Sequence, residues 1–411
     1  MTFFDITNPA QYAQGLPFDQ FAAMRAQPGL VWHDYEDGGF WAVTRHVDVD
    51  EVSRSIDRFS SAIGHTNLWD LEADALKARR SIIDSDPPDH RRLRKLVSKT
   101  FTPKAVAGWV GPTRAITNAL LDEYCAAGGG DWVNSVSALL PIRVILSVLG
   151  VPVEDDEYLV ALSNYLVEGT GEKISLPADA FGNTTPLRLL PFGSPASHAI
   201  YEYGDQLARR RLENPSADLM TKLAQAQGKS EGLDEVEFRN MFHVLMFAGN
   251  ETTRTAMSHL AITFANHRDK WALLKAQPEL LDSAVEEILR WATPVIHMRR
   301  TAARDTELAG TAIKKGDKVV MWYASANYDP EVFPNPHEFD MARTANVQLS
   351  FGGGGPHFCL GAFLARMELR VLLEEMLRRD MRLSLQSEPQ RVASNFVNGI
   401  VAVDMRVDCG A

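Results

Sequence analysis

The segment that most constrains the fold is 234–267. Asp234 and Glu237 form an N-cap and N3 pair, a variant of the capping box. About 32 residues of helical pattern follow, roughly 48 Å at 1.5 Å per residue. Through 241–249 the pattern is apolar almost all round, so the helix must run through the core of a large, helix-rich protein. Yet its middle reads Ala248-Gly249-Asn250-Glu251-Thr252-Thr253. Glycine costs about 1 kcal/mol against alanine in a helix interior. Adjacent threonines can bond backbone carbonyls and bend the helix. A polar, breakable patch inside the longest apolar helix conflicts with local design, and such conflicts mark function. The sequence predicts a local opening at Gly249.

Around this helix the chain has 411 residues, 45% hydrophobic and 23% charged, ordinary for a soluble globular protein with a large core. Residues 30–60 read as extended, with a glycine turn at Glu36-Asp37-Gly38-Gly39 between two strands. Helical patterns fill 88–285, and extended segments return near 295–323 and 381–408. The expected fold is mainly α with a smaller β region, the sheet contributed by both ends. Without a linker, low-complexity tract or repeat, 1–411 reads as one cooperative domain.

Cys125, Cys359 and Cys409 are too few and too scattered for a disulfide framework, so a reducing cytoplasm fits. The N-terminus lacks a basic and apolar leader. The longest apolar stretch, 137–151, contains Pro141 and Arg143 and is too short to span a bilayer. A net charge of −11 argues against nucleic acid. Basic residues cluster at Lys77-Ala-Arg79-Arg80 and Arg91-Arg92-Leu-Arg94-Lys95, either as a solvated helix face or as a docking patch for an acidic partner.

The second informative segment is Phe351-Gly-Gly-Gly-Gly-Pro-His-Phe-Cys359-Leu-Gly361, followed by an apolar-periodic helix from near Leu360. Alone, Cys359 also reads as a small buried hydrophobe. Zinc lacks ligands, since only His357 is near, and no Gly-Lys-Ser/Thr follows for a phosphate loop. A thiolate at a helix start is favoured by the macrodipole and unpaired N–H groups. Glycines let the backbone pass close to a flat, bulky group. These are the surroundings that a haem-ligating thiolate needs.

Taken whole, the segment resembles the haem-binding signature of the cytochrome P-450 family. Ala-Gly-Asn-Glu-Thr-Thr resembles the family's oxygen-activation motif, with Asn250 similar to bacterial members that hydroxylate sterol side chains and branched lipids. Glu287 and Arg290, at i and i+3, resemble its structural Glu–Arg pair, and 328–339 its proline-rich meander. The likeness extends over nearly the whole chain, including Asp5-Ile-Thr-Asn-Pro, Phe59-Ser-Ser61 and Phe101-Thr-Pro103. It implies haem b held by Cys359, with Phe351, Gly352, Gly361 and Ala248 around the porphyrin. It implies His90, Arg94, Arg300 and His357 on the propionates. Arg299 competes with Arg300, but strand neighbours point to opposite faces. Glu251 and Thr252 are the expected proton-managing pair.

The resemblance further implies a monooxygenase supplied with electrons by a separate ferredoxin and NAD(P)H-dependent ferredoxin reductase, because the chain has no room for a reductase domain. Arg91, Arg92, Lys95 and Arg366 are the expected docking cations, and a monomer is expected. Candidate pocket walls are Ile63, Trp69, Leu166, Leu189, Met246, Phe247, Val295, Ile296 and Val397. Their apolar character predicts a lipophilic substrate: a sterol, terpenoid or fatty-acyl compound. Segment 176–197, with four prolines, reads as a lid. Two rivals are a peroxide-driven peroxygenase, disfavoured by the Glu251–Thr252 pair, and a haem-thiolate sensor, disfavoured by the lack of a signalling region.

Overall fold

A computed structural model describes residues 5–35, 38–71, 73–168 and 195–410. Leu189 and most of 176–197 lie outside the described residues. Eight helices carry the argument: α1 Asp89–Val97, α2 Val110–Ala126, α3 Leu139–Leu149, α4 Asp156–Glu168, α5 Pro195–Glu213, α6 Glu235–Asn266, α7 Leu281–Ala292 and α8 Ala362–Arg378. The strands are β1 Val31–His33, β2 Phe40–Val43, β3 Phe59–Ser60, β4 Gly129–Asp131, β5 His297–Ala302, β6 Thr306–Leu308, β7 Thr311–Ile313, β8 Lys318–Trp322, β9 Arg382–Leu385, β10 Gln390–Arg391, β11 Ile400–Ala402 and β12 Asp404–Asp408.

The long helix α6 spans 32 residues, as its pattern predicts. Its start is a full capping box: Glu237 N–H donates to Asp234 Oδ1 (2.8 Å), and Asp234 N–H donates to Glu237 Oε2 (3.1 Å). Most of its side chains are buried, and it packs on α3, α5, α7 and β9. One large apolar cluster surrounds it, drawn from 82 to 407.

The expected opening at Gly249 is not a break, because α6 is continuous there. Gly249 serves close packing instead. A Cβ on it would lie 3.0 Å from Ile145 Cγ1 on α3. The sequence could show a costly glycine, but not the partner helix that requires it.

The main sheet runs β1-β2-β8-β5-β3 and joins strands from both ends of the chain. β1 and β2 are antiparallel with Val31 opposite Ala42, which matches the expected hairpin. β2 pairs parallel with β8, and β5 pairs antiparallel with β8 and β3. A second sheet, β4-β12-β9, ties the C-terminal strands to the chain between α2 and α3.

Here the structure differs from the reading of three reduced cysteines. Cys125, at the end of α2, forms a disulfide with Cys409, just past β12. A separation of 284 residues hides this contact in the sequence. The pairing of β12 with β4 creates it. No described helix is long and apolar enough to cross a membrane.

Candidate functional site

Cys359 lies three residues before α8, and its N–H donates to the Phe351 carbonyl (3.0 Å), closing the glycine loop. It is accessible, yet protein surrounds it, so it faces an interior space. Burial pushes its thiol up, while the Gly361 N–H and the charges of Arg94 and Arg366 pull it down without cancelling the rise. A cation on the sulfur would complete what these groups begin.

The loop's glycines divide into two kinds. Gly353 and Gly355 are packed against Asp50, Ser53 and Arg54 of the helix His46–Arg54, where a Cβ on either would collide, and Gly354 lies under the Arg54 guanidinium. Gly352 (φ +82°) has only Tyr323 Oη at 4.0 Å, and Gly361 has nothing within 4 Å. These two leave room beside the sulfur for a flat group. Arg366 covers the Phe351 ring with its guanidinium 4.4 Å from the centroid.

Above the loop, four cationic or ionisable side chains converge. The rings of His90 (α1) and His357 lie 4.1 Å apart. Arg94, one turn after His90, donates to the Phe358 carbonyl (2.8 Å). Arg300 on β5 is buried, and the hydrogen bond that its guanidinium makes within the described residues goes to the Arg299 carbonyl (2.9 Å). Burial, then Arg300, His90 and Arg94, hold His357 down to about 2; burial and then Arg94 hold His90 at about 4. Burial also lowers both arginines. His90 Nδ1 has no hydrogen-bond partner among the described residues. Two desolvated guanidiniums beside two histidines held neutral are unfavourable without anions. Two buried carboxylates from one cofactor would relieve this, so the residues present fit haem.

Sequence reasoning missed the group that braces this cluster. Asp86 accepts from Ser61 N–H (2.9 Å) and from the Ser60 hydroxyl, and Ser61 Oγ lies 3.2 Å from His357 Nε2. The motifs containing Ser61 and Asp86 were visible, but not their contact across 25 residues. Also missed is Asp84, which burial raises to about 6 despite Ser81, Arg79 and Thr66.

Between Asn240 and Ala265 of α6 the accessible residues are Phe247, Ala248, Gly249 and Thr252, a window in an otherwise buried stretch. Ala248 and Thr252 are one turn apart, and Thr252 Oγ1 donates to the Ala248 carbonyl (3.0 Å). Asn250 points elsewhere, donating to Ser163 Oγ on α4 (2.7 Å). Glu251 is buried, with its carboxylate turned toward Gly399, whose added Cβ would lie 3.4 Å from Oε1.

The candidate wall residues are placed unevenly. Phe247, Val295 and Val397 are half-buried, and Val295 bridges Val397. Met246 and Ile296 are wholly inside the two main apolar clusters. Ile63 is 46% exposed and lines an outer cavity, and Trp69 packs on the second cluster. Leu166 lies on α4, and its side chain is outside the described residues.

The Glu287–Arg290 pair is no surface bridge. Both side chains are fully buried, with Arg290 Nη2 2.7 Å from Glu287 Oε1. Arg290 also donates to the carbonyls of Asn327 and Pro336 (both 2.9 Å). Glu287 accepts from Asn346 Nδ2 (2.9 Å) and Asp340 N–H (3.0 Å). Asn327 carries the order onward: its Oδ1 accepts from Leu349 N–H (2.7 Å), and its Nδ2 donates to Ser350 Oγ (2.9 Å). A hydrogen-bonded chain thus runs from Arg290 to the residue before Phe351.

Two of the expected docking cations are engaged. Arg92 pairs with Glu237 (2.5 Å), and Arg366 pairs with Glu286 (2.5 Å). Arg91 and Lys95 are exposed, with no ion pair among the described residues.

The cytochrome P-450 sequence profile matches residues 262–401. The steroid C26-monooxygenase of Mycobacterium tuberculosis is 38% identical over 410 residues, covering 97% of this chain and 91% of that protein. Linalool 8-monooxygenase of Pseudomonas putida is 36% identical, covering 96% and 97%. The structure of a Mycobacterium marinum cytochrome P-450 in complex with pseudoionone superposes with a TM-score of 0.87 at 33% identity, covering 98% of each chain. With likeness of this extent, the chain belongs to the cytochrome P-450 family and is a haem-dependent monooxygenase.

Proposed function

We propose that this monooxygenase hydroxylates a lipophilic small molecule of steroid, terpenoid or branched-lipid type. Cys359 would hold the iron, and His90, Arg94, Arg300 and His357 the propionates. The carrying observation is the window at Phe247, Ala248 and Thr252, an accessible patch in the middle of a helix whose 240–265 stretch is otherwise packed in the core. Relatives acting on a steroid and on linalool support the substrate class.

Haem bound through a thiolate supplies O–O cleavage and oxygen insertion into a C–H bond. The chain's own residues manage the rest. With its O–H given to the Ala248 carbonyl, Thr252 presents lone pairs to the site and would accept a hydrogen bond from a water there. Glu251, turned toward Gly399, delivers protons from the 392–399 side. Phe247, Val295 and Val397 exclude water by apolar cover. Retention of this acid–alcohol pair favours dioxygen over peroxide as the oxidant.

The same reading makes 1–411 one catalytic domain and a monomer. Its electrons come from an acidic ferredoxin docking at Arg91 and Lys95, with an NAD(P)H-dependent reductase behind it. Titration of the ferric protein with steroids, terpenoids and fatty acids tests the substrate class. One class should shift the Soret band from low to high spin, and a flat response to all three would sink it. In Thr252→Ala, NAD(P)H use should uncouple from product and release peroxide. Full coupling would refute the role given to Thr252.

A further inference from the structure

Along α6, Phe264 follows Thr252 by twelve residues, about 18 Å at 1.5 Å per residue. At that end of the helix lies a cavity of about 510 Å³. Small-molecule sites span roughly 300–1,000 Å³. Its walls come from the end of α6, the helix Arg268–Ala276, the end of α8 and the strands β9 and β12. None of Cys359, His90, Arg94, Arg300 and His357 lines it.

The apolar part of the lining is Phe264, Trp271, Met376, Met381 and Leu383, all buried. The Phe264 and Trp271 rings meet edge to face, 5.1 Å between centroids. Trp271 is 8% exposed, and its indole Nε1 is buried with no hydrogen-bond partner among the described residues. An indole N–H only donates, so burial leaves it in need of an acceptor. The polar part of the lining is cationic. Arg268, Lys275, Arg382 and Arg406 stand against two carboxylates, Asp380 and Asp408, a formal +2 on a chain of net charge −11. Lys275 holds Asp380 (2.7 Å), and Arg382 lies 3.7 Å from Asp408. Arg268 donates to Ser384 Oγ (3.1 Å) and, like Arg406, has no ion pair among the described residues. These two arginines are the charge left over. An apolar floor with spare cations at its edge suits a molecule that is apolar at one end and anionic at the other, and it repels a cation.

We propose that this cavity binds an amphipathic organic acid, an aromatic or alkyl body carrying one carboxylate or sulfonate, at a site separate from the one at Cys359. The body lies against Phe264, Trp271 and the two methionines, and the anion meets Arg268 and Arg406. A molecule held there ties the end of α6 to β9 and β12, so it should stabilise the fold by mass action. No lining residue is shared with the substrate-site reading above, so either can fail without the other.

The test uses anilinonaphthalenesulfonate (ANS) on the ferric haem protein. ANS should bind with enhanced fluorescence, raise the melting temperature, and leave the Soret band and imidazole binding unchanged. Arg268→Glu with Arg406→Glu, both at exposed positions, should weaken ANS by about tenfold or more. Lysine at both positions should keep most of the affinity. Ala272→Trp, which fills the cavity from its exposed side without changing charge, should weaken ANS as strongly. Imidazole binding in each variant should stay within about twofold of the unaltered protein. Absence of ANS binding would overturn the proposal, as would binding that neither variant alters. Competition between ANS and imidazole would overturn it by placing the probe at the iron. Weakening by Ala272→Trp alone would overturn the acid class, and weakening by charge reversal alone would mean association with the surface and not the cavity.

Discussion

The cysteine side of this molecule and the loop 64–70 are held in place by different physics. On the cysteine side, Glu287 and Arg290 are sealed from solvent and saturate their hydrogen bonds with fixed backbone carbonyls. The loop 64–70 hangs on Arg299 and Lys318, both buried, and on the half-exposed carboxylate of Asp70. A sealed network has one arrangement. A half-exposed clamp can be altered one residue at a time without unfolding what lies beneath it. The contrast separates a part fixed on every side from a part that a single substitution can alter.

Substitutions should break the two sides differently. Cys359→Ser should abolish monooxygenase activity and the thiolate signature of the ferrous carbonyl spectrum, while leaving the helical circular dichroism in place. Persistence of that signature would place the ligand elsewhere. Glu287→Ala leaves Arg290 and Arg343 without their carboxylate, and should cost ~3–5 kcal/mol of stability in denaturant melts. A loss below about 1 kcal/mol would mean the pair behaves like a surface bridge.

The Cys125–Cys409 bond sharpens the comparison at the periphery. Its removal in Cys125→Ser should cost ~2–4 kcal/mol, measured without reductant. Unfolded, unreduced protein should show one reactive thiol among its three cysteines. Three thiols in freshly isolated protein would mean the bond is absent in its native compartment.

The smallest effect is expected at the docking face. Arg91→Glu with Lys95→Glu should slow reduction by an acidic ferredoxin about tenfold at low salt, and the difference should fade as salt is raised. Arg92→Ala should instead lower stability, because Arg92 holds Glu237 at the start of α6. Equal slowing by both changes would erase the distinction between paired and unpaired cations.

What was legible in the sequence follows the same division. The capping box, the long helix and the glycine loop are local patterns, and each is present as read. So is the sheet built from both ends. The contacts that were not legible cross long separations: Ser61 with His357, Arg299 with Asp70, Cys125 with Cys409. A side chain's partner there is chosen by strand order, which no local spacing records. Gly249 shows a subtler limit. Its presence was a signal, but whether it opened the helix or admitted Ile145 depended on a helix a hundred residues earlier.

The hydrogen-bonded chain through Asn327 has a consequence for tuning. Arg290 fixes Asn327, and Asn327 fixes Leu349 and Ser350 just ahead of Phe351, whose carbonyl receives the Cys359 N–H. The position of the Cys359 sulfur is therefore set from behind, by residues outside the cluster of His90, Arg94, Arg300 and His357. Selection for an altered reduction potential can act at Asn327 or Ser350 and leave the ligand space untouched, so driving force and substrate choice can evolve separately.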